Sequence, residues 1–160
     1  MVTFDAFRGR YASRTAGMTA SEIRALFAVA SRPEVVSLAG GMPYTTALPL
    51  DAVGKLLSDL LATKGAAALQ YGSGQGDAAL RELICEVMAL EGIDASPDDV
   101  VVTVGSQHAL DLVTRIFCDP GDIVLAEAPS YVGALGTFAA YQADVHHIAM
   151  DEHGLVPEAL

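Results

Sequence analysis

The sequence predicts an α/β fold: part of a mostly parallel sheet with flanking helices, preceded by an N-terminal arm and helices. Three observations carry this. From Asp99 onward, "DVVVTV", "SQHALDLVTRIF", "IVLAE", "PSYVGALGTFAAYQ" and "DVHHIAM" alternate β-branched runs with apolar residues at helical spacing. Strand, helix, strand, helix, strand is the signature of parallel βαβ units. The punctuation agrees: "DPGD" separates the first helix of this series from the strand that follows. The composition also fits, since 52% hydrophobic and 18% charged residues supply a core rather than a disordered chain.

Each element has a local reason. In "TASEIRALFAVASRP", Thr19 and Glu22 match a capping box. Ile23, Leu26, Phe27 and Ala30 recur at helical spacing, and Pro33 ends the helix. "EVVSLAGGMP" reads as a short strand entering a glycine turn. "LPLDAVGKLLSDLLATKG" is an amphipathic helix with Val53, Leu56, Leu57, Leu60 and Leu61 as its stripe and Gly65 as its C-cap. "LQYGSGQGDAALRELICEVMALEG" is a glycine-rich loop, then a helix with Leu80, Leu83, Ile84 and Val87 inward and Gly92 closing it. Pro157 suits the first turn of a further helix. The division expected is an arm and helix over 1–35, then a sheet-bearing region over 36–160 that is incomplete at its C-terminus.

Charge and cysteines narrow the class. The net charge is −11, which speaks against a nucleic-acid footprint. Residues 1–32 hold five of the nine bases (Arg8, Arg10, Arg14, Arg24, Arg32) and only two acids, so the arm is basic on an acidic body. No apolar run is long enough to span a membrane, and the N-terminus lacks a secretory h-region. Cys85 and Cys118 form no disulfide framework, so a reduced, cytoplasmic setting is expected.

The chemistry concentrates where "DVVVTV" turns into a helix through Gly105, Ser106, Gln107 and His108. The first N–H groups of a helix have no intrahelical partner, and the helix dipole favours an anion there. An ordinary serine N-cap is the competing reading of Ser106. The next junction, "EAPSYVG", brings Tyr131, an aromatic that could stack on a flat ring whose phosphate sits on the first helix. A metal site from His146, His147, Asp151 and His153 is disfavoured, because adjacent strand residues point to opposite faces.

Together "VSLAGGMP", "LQYGSGQGDAALRELI" and "VVVTVGSQHALDLVTRIFCDPGDIVLAEAPSYVGAL" resemble the N-terminal part of fold-type-I pyridoxal-phosphate aminotransferases. The aminoadipate and aromatic aminotransferase-like group is the nearest. The resemblance runs from about Ala20 to the end. It implies the large-domain fold of that family, pyridoxal 5′-phosphate as cofactor, an amino acid and a 2-oxo acid as substrates, and a homodimer. Ser106, Gln107 and His108 would match the phosphate cup, and Tyr131 the aromatic on the pyridine ring. Tyr71 would match the tyrosine that reaches a cofactor across the dimer interface. Gly41 and Arg24 would match substrate-side contacts.

The family also needs a lysine that forms a Schiff base with the cofactor aldehyde. The lysines here are Lys55 and Lys64, both before the cup and both read as solvated surface. The 160 residues are therefore expected to be a piece of an aminotransferase, inactive by themselves. The alternative is a non-catalytic cofactor- or anion-binding module.

Overall fold

The computed structural model describes residues 5–7, 9–18, 26, 27, 29, 30, 32–38, 41 and 43–160. It divides into two compact units, Val29–Thr103 and Met1–Ala28 with Val104–Leu160.

The unit Val29–Thr103 is helical. Helix α1 (Leu50–Ala68) and helix α2 (Ala78–Leu90) carry it, with 3-10 turns at Thr45–Ala47 and Pro97–Asp99. Gly65 does not cap α1. The helix continues to Ala68, and only Lys64 departs from helical geometry (φ −134°, ψ 15°). A glycine inside a helix costs about 1 kcal/mol relative to alanine, a cost that three following alanines can carry. Asp77 caps α2 by accepting from the Leu80 N–H at 3.0 Å. Gly92 closes it as foreseen, at φ +78°. The Gly92 N–H donates to Ala89 and the Ile93 N–H to Met88, the paired bonds of a Schellman motif.

Two expected strands are absent among the described residues of this unit. Residues 34–38 have no strand, and Val36 and Leu38 are 91% and 99% exposed. Residues 100–103 are likewise unassigned, although Val100 is extended. The Val102 N–H goes instead to the Gln75 carbonyl at 2.8 Å. β-branched residues favour extended backbone, but a strand exists only through a ladder with a neighbour. The inward stripes of α1 and α2 are also not realised, since Leu56, Leu57, Leu83 and Val87 are all exposed.

The second unit holds the βαβ series. Helix α3 (Gly105–Phe117) leads through a turn to strand β1 (Ile123–Ala128), helix α4 (Val132–Ala140) and strand β2 (Asp144–Asp151). β1 and β2 pair in parallel from Ile123↔Asp144 to Ala128↔Ala149, as the alternation of elements predicts. The "DPGD" turn closes through the Asp122 N–H to the Asp119 carbonyl, with Gly121 at φ +92°. One strand was not foreseen: β3 (Gly154–Leu155) folds back antiparallel on β2, Met150↔Leu155 and Asp151↔Gly154. Pro157 starts a short 3-10 turn, Pro157–Ala159. Among the described residues the buried positions are Ala126 on β1, Ile148 on β2, Thr114 on α3 and Thr137 on α4. The core thus lies between the parallel pair and its two helices.

Candidate functional site

The start of α3 is built by three local choices. Val104 is the N-cap residue, and Gly105 follows with φ +73°. A β-carbon there would meet nothing within 4 Å, so the position calls for glycine through its backbone angle rather than through crowding. Ser106 is not the cap; it is the second helical residue, and no side chain caps this helix from in front. The Val104 N–H is instead taken by His108, whose Nδ1 accepts it at 3.2 Å. The imidazole reaches back one turn, much as the acid of a capping box does. That bond places the ring proton on Nε2 and leaves the N–H groups of Ser106 and Gln107 among those a helix cannot pair internally.

Gln107 turns towards α4. Its Nε2 donates to the Gly133 carbonyl at 3.1 Å and to the Thr137 hydroxyl oxygen at 2.5 Å. The Thr137 hydroxyl donates in turn to Gly133 at 3.1 Å. Tyr131, the N-cap residue of α4, is 62% exposed. Its ring lies over Gly133: a β-carbon built there would sit 2.5 Å from Tyr131 Cε1 and 2.5 Å from Gln107 Oε1. Val104, Gln107, His108, Tyr131, Gly133 and Thr137 line one open cavity of about 860 Å³. The structure therefore brings Gln107, His108 and Tyr131 together. Ser106 adjoins Gln107 in sequence without lining that cavity.

A network not foreseen borders this cavity. Asp111 Oδ1 accepts from the Tyr141 hydroxyl at 3.0 Å, Asp111 Oδ2 from Arg115 at 2.7 Å, and Arg115 Nε donates to Tyr141 Oη at 2.9 Å. The Tyr141 hydrogen bond, followed by the charge of Asp111, raises the Arg115 guanidinium above its ordinary pKa. The i,i+4 spacing of Asp111 and Arg115 in "DLVTR" was the available signal. These three residues and Arg14 line a smaller cavity of about 450 Å³.

The remaining candidates lie elsewhere. Tyr71 belongs to the Val29–Thr103 unit, is fully exposed, and donates its N–H to Gln70 Oε1 at 2.9 Å. Its loop ends at Gly76, which has φ +103° and lies against Val102. Gly41 is exposed at φ +59°. Arg24, with Thr19, Glu22 and Ile23, lies outside the described residues. His146 pairs with Asp144 at 3.1 Å, His147 faces the Glu127 carbonyl at 3.4 Å, and His153 lies 3.6 Å from Glu152. Among the described residues no group of three or more such side chains is placed to hold a metal ion. No described helix is long and apolar enough to cross a membrane.

The donor set suits a phosphate ester that carries a flat ring. Neutral N–H groups at a helix start would meet such an anion, and the partly exposed Tyr131 lines the same cavity as Gln107. Both lysines lie on α1, in the other unit.

The chain is an α/β protein with a helix start and an aromatic residue at successive βα junctions. Residues 33–157 match the family model "Aminotransferase class I and II", and the chain belongs to that family. It is 39% identical over 146 residues to aromatic-amino-acid aminotransferase 1 of Thermococcus litoralis, covering 91% of this chain and 35% of that protein. Among solved structures it is similar to kynurenine aminotransferase of Pyrococcus horikoshii, crystallised with PMP. The TM-score is 0.84 at 36% identity, over 96% of this chain and 38% of that one. It is also similar to LysN, the alpha-aminoadipate aminotransferase of Thermus thermophilus, with a TM-score of 0.83 at 33% identity over 96% and 37% of the two chains. The chain thus spans little more than a third of the length of these relatives.

Proposed function

We propose that this chain is the cofactor-receiving amino-terminal part of a pyridoxal-phosphate aminotransferase. In that reading the longer protein of which it is a part moves an amino group between an amino acid and a 2-oxo acid. The observation that carries the reading is the cavity shared by Gln107, His108 and Tyr131 at the starts of α3 and α4. The bound cofactor supplies an electron sink for the carbanion formed at the substrate α-carbon. The chain's own residues supply placement. The N–H groups of Ser106 and Gln107 take the phosphate at a helix start, which needs no cationic side chain. Tyr131 offers its ring to the pyridine face, and Gly105 keeps the approach open.

Tyr71 and the basic arm are assigned to a homodimer interface, where a fully exposed tyrosine on a glycine-rich loop has a partner to meet. Gly41 and Arg24 are assigned to the substrate side. Cys85 and Cys118 are both free thiols, which favours a reducing, cytoplasmic setting.

The test uses pyridoxamine 5′-phosphate, which has no aldehyde to react with Lys55 or Lys64. Titration of the chain should give saturable binding that inorganic phosphate competes away and that Tyr131→Ala weakens. The longer protein carrying this chain should transfer amino groups to 2-oxo acids and sediment as a dimer. Absence of both binding and transfer would refute the reading. An active monomer would refute only the interface role of Tyr71.

A further inference from the structure

We infer that Gln107 is a positioning residue for Tyr131, acting through its side-chain amide on the first turn of α4. The inference rests on the cofactor reading above for its consequence, but not for its geometry. Gln107 sits where a phosphate-cup side chain is expected to point at the anion. Its amide nitrogen is spent instead on the Gly133 carbonyl and the Thr137 hydroxyl. Thr137 is 6% exposed while Gln107 is exposed, so the bond to Thr137 is part-buried and the bond to Gly133 lies at the surface. The part-buried bond to Thr137 holds its geometry better than a fully exposed one, because breaking it leaves a sheltered polar group unpaired.

Both acceptors lie on α4, four residues apart and on one helix face. The amide therefore fixes the distance and the rotation of that turn relative to α3. The turn carries the aromatic. Tyr131 caps α4, and its ring edge occupies the volume that a side chain at Gly133 would fill. Gln107 Oε1 bounds the same volume, 2.5 Å from the same point. The ring edge and the Gln107 amide thus share the space beside Gly133 that a side chain there would fill. Gln107 contributes twice: its backbone N–H stays at the anion end, and its side chain sets where the ring stands. The spacing between phosphate and stacked ring is then decided by one residue that belongs to both.

The whole 160-residue chain can be tested without cofactor. It contains five tyrosines and no tryptophan, so labelling with 3-fluorotyrosine gives five resolvable fluorine sites. The Tyr131 signal is the one lost in Tyr131→Phe. Gln107→Glu keeps the shape of the side chain and removes its N–H donors. Thr137→Val keeps the shape and removes the acceptor. Both should move the Tyr131 signal, while that of Tyr71, in the other unit, stays in place as a check on folding. A Tyr131 signal unchanged in both variants would overturn the inference.

A second arm uses pyridoxamine 5′-phosphate and inorganic phosphate as probes. The ring should give the former an affinity advantage of about 2- to 12-fold from stacking. Tyr131→Ala and Thr137→Val, neither of which alters a phosphate donor or adds a charge, should each remove that advantage while leaving phosphate affinity in place. The double variant should be no worse than either single one. Losses that multiply in the double variant would show that the Gln107–Thr137 bond acts independently of the ring and would overturn the inference. A wild-type chain with no preference between the probes would refute the cofactor reading instead, and the fluorine signals would then decide the positioning role alone.

Discussion

Replacing Gly76 with alanine should destabilise the Val29–Thr103 unit by an amount that can be worked from the structure. Gly76 has φ +103°, a backbone region that L-residues rarely enter. Placing a β-carbon at positive φ costs roughly 1–2 kcal/mol. A β-carbon there would also stand 2.6 Å from Val102 Cγ2 and 2.7 Å from Val102 Cβ. Valine cannot swing away, because its branched carbon is tied to the backbone and has one favoured rotamer. Val102 is further held by its own N–H bond to the Gln75 carbonyl. Forcing such a contact apart adds about 1–3 kcal/mol. The sum is about 2–5 kcal/mol, which at a mid-range urea slope of about 2 kcal/mol per molar lowers the midpoint by roughly 1–2.5 M. The assay is urea denaturation followed by far-ultraviolet circular dichroism, with hydrogen exchange at the Val102 amide as the local readout. Gly74→Ala is the control. A β-carbon there meets nothing within 4 Å, and its φ is not in the positive region. That substitution should be neutral or stabilising by about 0.4–1 kcal/mol. Equal midpoints for the two variants would refute the reasoning, since only the close approach and the backbone angle distinguish them.

Three further outcomes follow from local geometry. Gln142 closes α4 at φ +61° in a Schellman arrangement, so Gln142→Gly should stabilise by about 1 kcal/mol, read as a higher thermal midpoint. Asp77→Ala removes the side chain that accepts the Leu80 N–H and should cost about 0.5–2 kcal/mol in urea denaturation. His108→Ala frees the Val104 N–H and should cost about 0.5–1.5 kcal/mol, while calorimetric titration finds phosphate affinity unchanged, because the donors are backbone groups.

The parts of the fold legible in the sequence are those whose cause is local. α3, α4, β1 and β2 each carry their own periodicity, and the Asp119–Asp122 turn carries its own proline and glycine. Where a second segment decides the outcome, the same reasoning misses. "DVVVTV" has every local mark of a strand, yet Val102 bonds to a loop carbonyl, and no periodicity can announce which acceptor a given N–H will find. β3 was missed for the opposite reason: two residues are too few to show a pattern, and it exists through its pairing with Met150 and Asp151.

The candidate site divides along the same line. That an anion should prefer the N–H groups after Gly105 depends on helix geometry alone, so it could be argued from four letters. What the side chains of those letters do depends on their neighbours. His108 turns back to Val104, and Gln107 reaches thirty residues on to Thr137. Neither bond is written in the motif. This also explains why histidine can stand in the cup. On the proposed reading, a position whose cofactor contact is made by main chain is free to choose its side chain for a different task, and in His108 that task is accepting the Val104 N–H.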